Sequence, residues 1–209
     1  MRSTIWKKAL SSALSLVMCG GLMAPALAGT AASAATPVKI ACVGDSITAG
    51  SQASNSTFYY PTQLQQRLGS GYEVKNYGVS GRTLLSKGDN PYINEKQYAD
   101  SKAWQPDVVT IMLGTNDAKP QNWANKADFE ADMKAMITAY RELASHPTVV
   151  IATSPTVGAT NIGISEAVVT NEIVPLQKKV AAEMGCPVID INALTKGAPQ
   201  NYADGIHPN

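Results

Sequence analysis

The stretch Val38-Lys39-Ile40-Ala41-Cys42-Val43-Gly44-Asp45-Ser46-Ile47-Thr48 decides the fold of this chain. Its apolar and β-branched residues up to Val43 are typical of a buried strand in a parallel sheet. Gly44 ends the run abruptly and leaves Ser46 at the carboxyl end of the strand, where open α/β sheets place their functional groups. A serine hydroxyl in that position can act as a nucleophile if a base and an oxyanion pocket are supplied. Taken alone, Gly-Asp-Ser indicates only a turn with a capping serine, so the rest of the chain must decide.

Strand and helix patterns alternate along the remainder of the sequence. Strands are predicted at 38–44, 72–77, 107–113, 148–152 and 187–191, and helices at 60–68, 129–143 and 165–184. Pro175 should bend the last helix and Gly185 should end it, whereas residues 82–106 are predicted to be irregular. This alternation predicts the α/β class: a five-stranded parallel sheet covered by helices on both faces. The flavodoxin-like strand order 2-1-3-4-5 is favoured by the handedness of the crossovers.

The first 35 residues have the pattern of a secretory signal peptide. Three basic residues precede an apolar run at 9–23, which is too short to span a membrane. Small-x-small motifs that end at Ala28 and Ala34 offer two cleavage sites. We therefore expect a protein that is exported and secreted, with residues 36–209 as its single domain.

Composition restricts the partners of that domain. The chain of 209 residues is 44% hydrophobic and 16% charged, which suits one globular domain. Loss of the leader removes three basic residues, so that 14 basic and 16 acidic residues remain and the net charge changes from +1 to −2. No basic cluster indicates nucleic acid or an anionic membrane as a partner, and no membrane span is predicted. The oligomeric state is left open.

The three cysteines predict no disulfide. Cys19 lies in the leader, and a lipid anchor on it is disfavoured by the bulky Met18 that precedes it. Cys42 lies in the first predicted strand and Cys186 directly before the last, so two strands separate them by roughly 14 Å at sheet spacing. A disulfide cannot bridge that distance, and both thiols are expected to be small core residues. The chain has no CxxC motif and no cluster of metal-ligand residues, so no metal is predicted.

One of the two histidines has the surroundings of a catalytic base. A serine hydrolase needs a histidine to accept the serine proton and a carboxylate to orient that histidine. His146 lies at the end of the long predicted helix, where a helix-end or surface role is favoured. His207 lies in Asp204-Gly205-Ile206-His207-Pro208, with a carboxylate three residues upstream. We therefore predict that His207 is the base for Ser46 and that Asp204 orients it.

Three donors to an oxyanion can be placed at the same edge of the sheet. They are the backbone amides of Ser46 and Gly81 and the side-chain amide of Asn116. Each donor follows one of the first three strands, which are neighbours in the predicted order. A turn glycine and a loop cap would explain Gly81 and Asn116 separately. The coincidence of all these groups at neighbouring strand ends favours a single catalytic crevice.

These residues resemble the four sequence blocks of the SGNH (GDSL-type) hydrolases. The blocks are Gly44-Asp45-Ser46, the glycine of Asn76-Tyr77-Gly78-Val79-Ser80-Gly81, Gly114-Thr115-Asn116-Asp117 and Asp204-Gly205-Ile206-His207-Pro208. The match runs in order from Val38 to the last residue. The resemblance implies a three-layer α/β/α sandwich, Ser46 as nucleophile, Gly81 and Asn116 as oxyanion donors, Asp204 and His207 as orienting acid and base, and no cofactor or metal.

The detailed sequence at 77–83 and 114–123 resembles that of the carbohydrate-esterase-like members of the superfamily, such as the sialate and xylan O-acetylesterases. This implies a secreted serine esterase acting on O-acetyl groups of carbohydrates through an acyl-enzyme intermediate. It also suggests Arg82 and Trp123 as substrate-binding residues, although core packing is an alternative for any single aromatic residue.

Two other functions are compatible with the same motifs. A lipid esterase, thioesterase or lysophospholipase would use the same triad, and a non-catalytic glycan-binding module would keep only the fold. Such a module would be expected to lack one of the catalytic groups, and none is missing. Members of the superfamily usually continue past the His-Pro pair into a closing helix, whereas this sequence stops at Asn209. We therefore expect one face of the sheet to be incompletely covered.

Overall fold

The computed structural model describes residues 36–158, 162–198, 202 and 204–207. The predicted signal peptide at 1–35, with both cleavage sites and Cys19, lies outside the described residues. Among the residues that are described, no helix is long and apolar enough to cross a bilayer.

Five parallel strands form one sheet. They are β1 Val38–Gly44, β2 Tyr72–Gly78, β3 Val108–Met112, β4 Thr148–Ala152 and β5 Val188–Ile189. Their order is β2-β1-β3-β4-β5, which confirms the predicted topology. The predicted strand at 187–191 is shorter in the structure because Asp190 caps a helix that begins at Ile191.

Helices cover both faces of this sheet. They are α1 Ser46–Ala49, α2 Tyr60–Leu68, α3 Lys96–Ala103, α4 Pro120–Trp123, α5 Phe129–Arg141, α6 Glu166–Val168, α7 Val174–Glu183 and α8 Ile191–Thr195. The helix predicted at 60–68 is confirmed, and Gly69 ends it as its C-cap. The three-layer α/β/α arrangement predicted from the sequence is therefore present.

The prediction that residues 82–106 are irregular is wrong. This segment contains the short 3-10 helix Tyr92–Asn94 and the eight-residue helix α3. Within α3 only Ser101 is buried, and Tyr98 packs half-buried against the core. Because α3 carries so few apolar residues, its sequence lacks the periodicity by which amphipathic helices are predicted.

The helix predicted at 165–184 is divided by a π-helical segment, Val169–Ile173, between α6 and α7. Pro175 is at the start of α7, directly after this segment. Proline has no N–H to donate, and its ring clashes with the carbonyl four residues earlier in a regular α-helix. A wider π turn at this point accommodates the proline without ending the helical region.

The core has two unequal halves. On one face of the sheet, alternate residues of the central strands pack against α5 and α7, and they include Ala41, Val43, Val109, Ile111, Val149 and Ile151. The opposite face has a smaller buried cluster, Ile47, Met112 and Ala152, packed against Tyr60 and Ile191. Parallel sheets are buried on both faces, which explains the continuous apolar runs in β1 and β3.

Both described cysteines are buried free thiols, as predicted. Cys42 lies on β1, and Cys186 follows α7 and precedes β5. Burial raises the pKa of the Cys42 thiol to about 11, so it remains protonated and unreactive at neutral pH.

The register of the strands brings three loops to one edge of the sheet. Gly44 at the end of β1 is level with Gly78 of β2 on one side and with Met112 of β3 on the other. The first turn of α1 packs directly against β2: a Cβ on Gly78 would lie 2.2 Å from the backbone nitrogen of Ala49. Only glycine allows this close approach.

We predict that Gly78→Ala lowers the free energy of unfolding by about 1–3 kcal/mol or more, because the added methyl group would collide with backbone atoms that cannot rotate away. Chemical denaturation of wild type and variant measures this difference. Gly71→Ala is the matched control, since no atom of the described part of the chain lies within 4 Å of the Cβ it would add. Equal stability of the two variants would contradict this account of the packing.

Candidate active site

Ser46 begins α1, and one residue, Asp45, separates it from the end of β1. Asp45 caps this helix, and its Oδ1 accepts a hydrogen bond from the Ile47 amide at 3.0 Å. Ser46 is buried to 8% exposure. As the first residue of the helix, Ser46 has a backbone N–H with no partner within the helix.

His207 connects Ser46 to Asp204. Its Nε2 lies 2.7 Å from Ser46 Oγ, and its Nδ1 lies 2.5 Å from Asp204 Oδ2. When Nδ1 carries the ring proton and donates a hydrogen bond to the carboxylate, Nε2 can accept a hydrogen bond from the serine hydroxyl. The structure thus brings the three predicted triad residues into one hydrogen-bonded series, although 161 positions separate Ser46 from His207.

The Asp204 side chain organises the turn that carries His207. Its Oδ1 accepts the backbone amides of Ile206 at 2.9 Å and His207 at 2.8 Å. Partial burial opposes ionisation of this carboxyl group, but the hydrogen bonds from the His207 ring and from the two amides outweigh it and lower the pKa of Asp204 to about 2. Asp204 is therefore an anion at neutral pH, as a group that stabilises an imidazolium must be.

A second loop supports the His207 turn. The amide of Gly158, in the segment after β4, donates to the carbonyl of Gly205 at 2.5 Å. The neighbouring Val157 amide is held in turn by Glu166 Oε2 at 2.7 Å. The turn that carries the base is thus held by the loop that follows β4.

The oxyanion donors predicted from the sequence lie on neighbouring segments. Gly81 has a φ of 81°, in the left-handed region that favours glycine. Asn116 follows β3 and is 4% exposed. Its Nδ2 donates one hydrogen bond to the Arg82 carbonyl at 3.2 Å, which leaves its second N–H for another acceptor. This hydrogen bond joins Asn116 to the residue directly after Gly81.

Both residues suggested for substrate binding have side chains that are engaged within the protein. Arg82 Nε pairs with Glu95 at 2.8 Å, and another of its nitrogens donates to the Ser80 carbonyl at 2.8 Å. Trp123 is 8% exposed, packs edge-on against Phe129 and donates its indole N–H to Glu172. The alternative of core packing describes Trp123 better, and Arg82 is engaged in holding its own loop.

The other histidine, His146, follows α5, and its Nδ1 lies 3.3 Å from the Arg141 carbonyl oxygen. This is the helix-end position expected from the sequence. Within the described segments, no three His, Cys, Asp or Glu side chains are grouped so that they could hold a metal ion.

Sequence reasoning gave no role to Asp45, which adjoins Ser46. Asp45 is 1% exposed, and its Oδ2 has no hydrogen-bond partner among the described residues. Burial raises the pKa of this carboxyl group to about 7; the Ile47 amide opposes the increase, and the charge of nearby Asp117 adds to it. The sequence places Asp45 between Gly44 and Ser46 but gives no sign that it is buried, because the side chain of a helix cap is normally exposed.

A serine hydroxyl, an imidazole and a carboxylate in series at the carboxyl edge of a parallel sheet are the groups of a serine hydrolase. Residues 42–209 match the model of the GDSL-like lipase/acylhydrolase family. The chain belongs to this family, which confirms the resemblance seen in its four sequence blocks.

Relatives and solved structures agree with that assignment. The chain is 41% identical over 191 residues to an acetylxylan esterase of Xylanibacter ruminicola; the match covers 82% of this chain but only 40% of that protein. A native aryl esterase of M. smegmatis superposes with a TM-score of 0.64 at 22% identity, covering 82% of this chain and 91% of the other. A carbohydrate acetylesterase family member of Sinorhizobium meliloti gives 0.64 at 21%, covering 82% and 90%. At these identities the two structures establish the fold.

We predict that Asp45→Asn stabilises the protein more at pH 8 than at pH 4. The folded-state pKa of Asp45 lies above its ordinary value of 3.8, so ionisation reduces stability progressively as the pH rises from about 4 to about 7. Asparagine cannot ionise and still offers Oδ1 to the Ile47 amide. Denaturation of both proteins at the two pH values measures the change.

Asp190→Asn is the matched control, because Asp190 caps α8 but has the opposite shift. The Lys178 ammonium hydrogen-bonded to Asp190 holds the pKa of that carboxyl below its usual range. The stabilising effect of ionised Asp190 is therefore present at neutral pH and is lost on acidification. Relative to wild type, Asp190→Asn should thus have a lower free energy of unfolding at pH 8 than at pH 4. The same pH dependence for both variants would contradict the assignment of Asp45.

Proposed function

We propose that this chain is an exported serine esterase that removes acetyl groups from carbohydrates. The observation that carries the proposal is the series Asp204–His207–Ser46, with contacts of 2.5 Å and 2.7 Å. A serine hydroxyl has little nucleophilicity at neutral pH until a base within hydrogen-bond reach can take its proton. His207 is within that reach, and Asp204 fixes its orientation.

In the acylation step, Ser46 Oγ attacks the ester carbonyl carbon while its proton passes to Nε2 of His207. The amides of Ser46 and Gly81 and the free N–H of Asn116 stabilise the negative charge that develops on the carbonyl oxygen. The bond to the sugar oxygen then breaks, and His207 returns the proton to the leaving alkoxide. The products are a free sugar hydroxyl and an acetyl ester on Ser46.

In the deacylation step, water attacks the acetyl carbonyl and gives its proton to the same Nε2. Collapse of the second tetrahedral intermediate breaks the bond to Ser46 Oγ, and His207 reprotonates the serine. Acetic acid leaves and ionises. Asp204 remains an anion throughout and stabilises the imidazolium that forms in each step.

Carbohydrate acetyl groups are favoured as substrates by the relatives of the chain. The curated relative is named an acetylxylan esterase, and one neighbouring structure is described as a carbohydrate acetylesterase family member. This chain spans only 40% of the length of the curated relative, so the substrate in that relative's name supports the proposal for this chain but does not by itself assign it.

The alternative of a long-chain lipid esterase or thioesterase depends on a place for the acyl chain. An apolar cavity of about 380 Å³ lies between α2, α8 and the sheet, and its lining includes Ile47, Tyr60 and Met112. Neither Ser46 nor His207 nor Asn116 lines this cavity. Because none of these catalytic groups lines the cavity, it offers no acyl-chain pocket at the reacting atoms, which favours a short acyl group.

The signal-peptide pattern at 1–35 supports export. If export occurs, protein recovered outside the producing cell should begin just after Ala28 or Ala34, which N-terminal sequencing can determine. Recovery of an intact N terminus from the cell interior alone would remove this part of the proposal.

We predict that Ser46→Ala abolishes acetate release from acetylated xylan, acetylated sialic acid and short-chain aryl esters while the protein stays folded. Loss of the nucleophile removes the acyl-enzyme route, and in a Ser-His-Asp triad on another fold it lowers kcat by about 10⁶-fold. Thermal denaturation checks the folding of the variant, and acetate release gives the activity.

Two outcomes of this experiment would contradict the proposal. Activity of Ser46→Ala equal to that of wild type would eliminate Ser46 as nucleophile. Preference of the wild type for long acyl chains over acetyl esters would replace the carbohydrate acetylesterase by a lipid esterase or thioesterase.

A further inference from the structure

Asp117 is a buried carboxylate for which the catalytic steps above have no use. It follows Asn116 in a short 3-10 turn after β3 and is fully buried. Its Oδ2 accepts the Leu84 amide at 3.0 Å, and its Oδ1 accepts the Leu85 amide at 2.8 Å. Leu84 and Leu85 are themselves almost completely buried, so no water can replace this acceptor.

The two segments joined by Asp117 are the ones that carry two of the oxyanion donors. We call residues 79–91 the Gly81 loop and residues 114–123 the Asn116 turn. They are joined a second time by the bond from Asn116 to the Arg82 carbonyl. A third connection comes from Asn122, whose side chain binds the Asn116 carbonyl at 2.9 Å and the Asp89 amide at 2.8 Å.

The chemistry of Asp117 fits this connection closely. Two backbone amides from adjacent residues need two acceptor atoms, and an ionised carboxylate offers acceptors only. An asparagine would present one acceptor and one donor, so one of the buried amides would face another N–H. Burial of a carboxylate is costly, and it raises the pKa of Asp117 to about 6 although the Leu85 and Leu84 amides oppose the increase.

We propose that Asp117 is a positioning residue for the oxyanion hole, because it fixes the Gly81 loop against the Asn116 turn and so sets the separation of the two donors. This inference rests on the proposed esterase function. Donors must lie within hydrogen-bond distance of the developing oxyanion, and a displacement of about 1 Å can cost about 10²-fold in rate. Asp117 itself is fully buried, so it acts through the two donors and not directly on the substrate.

Asp117→Asn tests this role with an aryl acetate as the substrate. We expect kcat to decrease by roughly 10-fold to 10²-fold, with a much smaller change in KM, because the lost stabilisation belongs to the transition state. Wild type and Ser46→Ala are measured beside it. An inactive wild type would overturn the esterase function itself, whereas an active wild type with an equally active Asp117→Asn variant would overturn only the positioning role.

Asp132→Asn is the matched control for simple loss of stability. Asp132, on α5, binds the same loop one residue further on: it accepts the Ser86 amide at 2.7 Å and the Ser86 hydroxyl at 3.2 Å. Both variants should lower the melting temperature, but only Asp117→Asn should lower kcat. An equal decrease of kcat in both variants would overturn a specific role for Asp117.

A double-mutant cycle with Asn116→Ala distinguishes positioning from an independent effect. Asn116→Ala alone should lower kcat by about 10²–10³-fold. In the Asn116→Ala background, Asp117→Asn should lower kcat by a clearly smaller factor than it does in wild type, because one of the two donors that Asp117 positions is already absent. Effects on kcat that simply multiply would overturn the proposal.

A milder variant covers the case in which Asp117→Asn does not fold. Asn122→Ala weakens the same connection between the Gly81 loop and the Asn116 turn without touching the buried carboxylate. We expect a smaller decrease of kcat in this variant, again with KM nearly unchanged. If kcat equals that of wild type, the proposal is overturned.

Discussion

The parallel register at the carboxyl end of β1 is the constraint on which the candidate site depends. Gly44 is level with both Gly78 and Met112, so the three following loops leave the sheet at one height. This register places Ser46, Gly81 and Asn116 on loops that leave the same edge of the sheet, although they are distant in sequence. The close approach of Gly78 to Ala49 fixes α1 against β2 and therefore fixes the direction of the serine.

Register alone leaves the loops free, and buried polar contacts then hold them. Asp204 organises the turn of His207, Gly158 supports that turn from the β4 side, and Asp117 holds the Gly81 loop. Asp117 and the helix cap Asp45 are both buried carboxylates. Because burial of a carboxylate is costly, this edge of the sheet is not optimised for stability. Functional sites commonly carry such unfavourable groups, while the rest of the fold provides the compensating stability.

The sheet order and the triad series could be read from the sequence, because both follow from local signals: apolar runs that end at Gly-Asp-Ser or Gly-Thr-Asn-Asp, and a carboxylate three residues before His207. Helix α3 could not, because its polar residues show no periodicity. The places of Arg82 and Trp123 also depended on distant partners, Glu95 and Glu172, which no local pattern reveals. For the same reason the buried states of Asp45 and Asp117 became visible only in three dimensions.

The most direct test of the account is to identify the side chain that carries the acyl group during turnover. The reaction with an aryl acetate is stopped by rapid acid quenching, and the protein is digested and mapped by mass spectrometry. The account predicts one acetyl group per chain on the peptide that contains Ser46, formed before steady-state turnover and absent in Ser46→Ala. Turnover without acetylation of Ser46, or an acetyl group that forms and decays on another side chain, would contradict it.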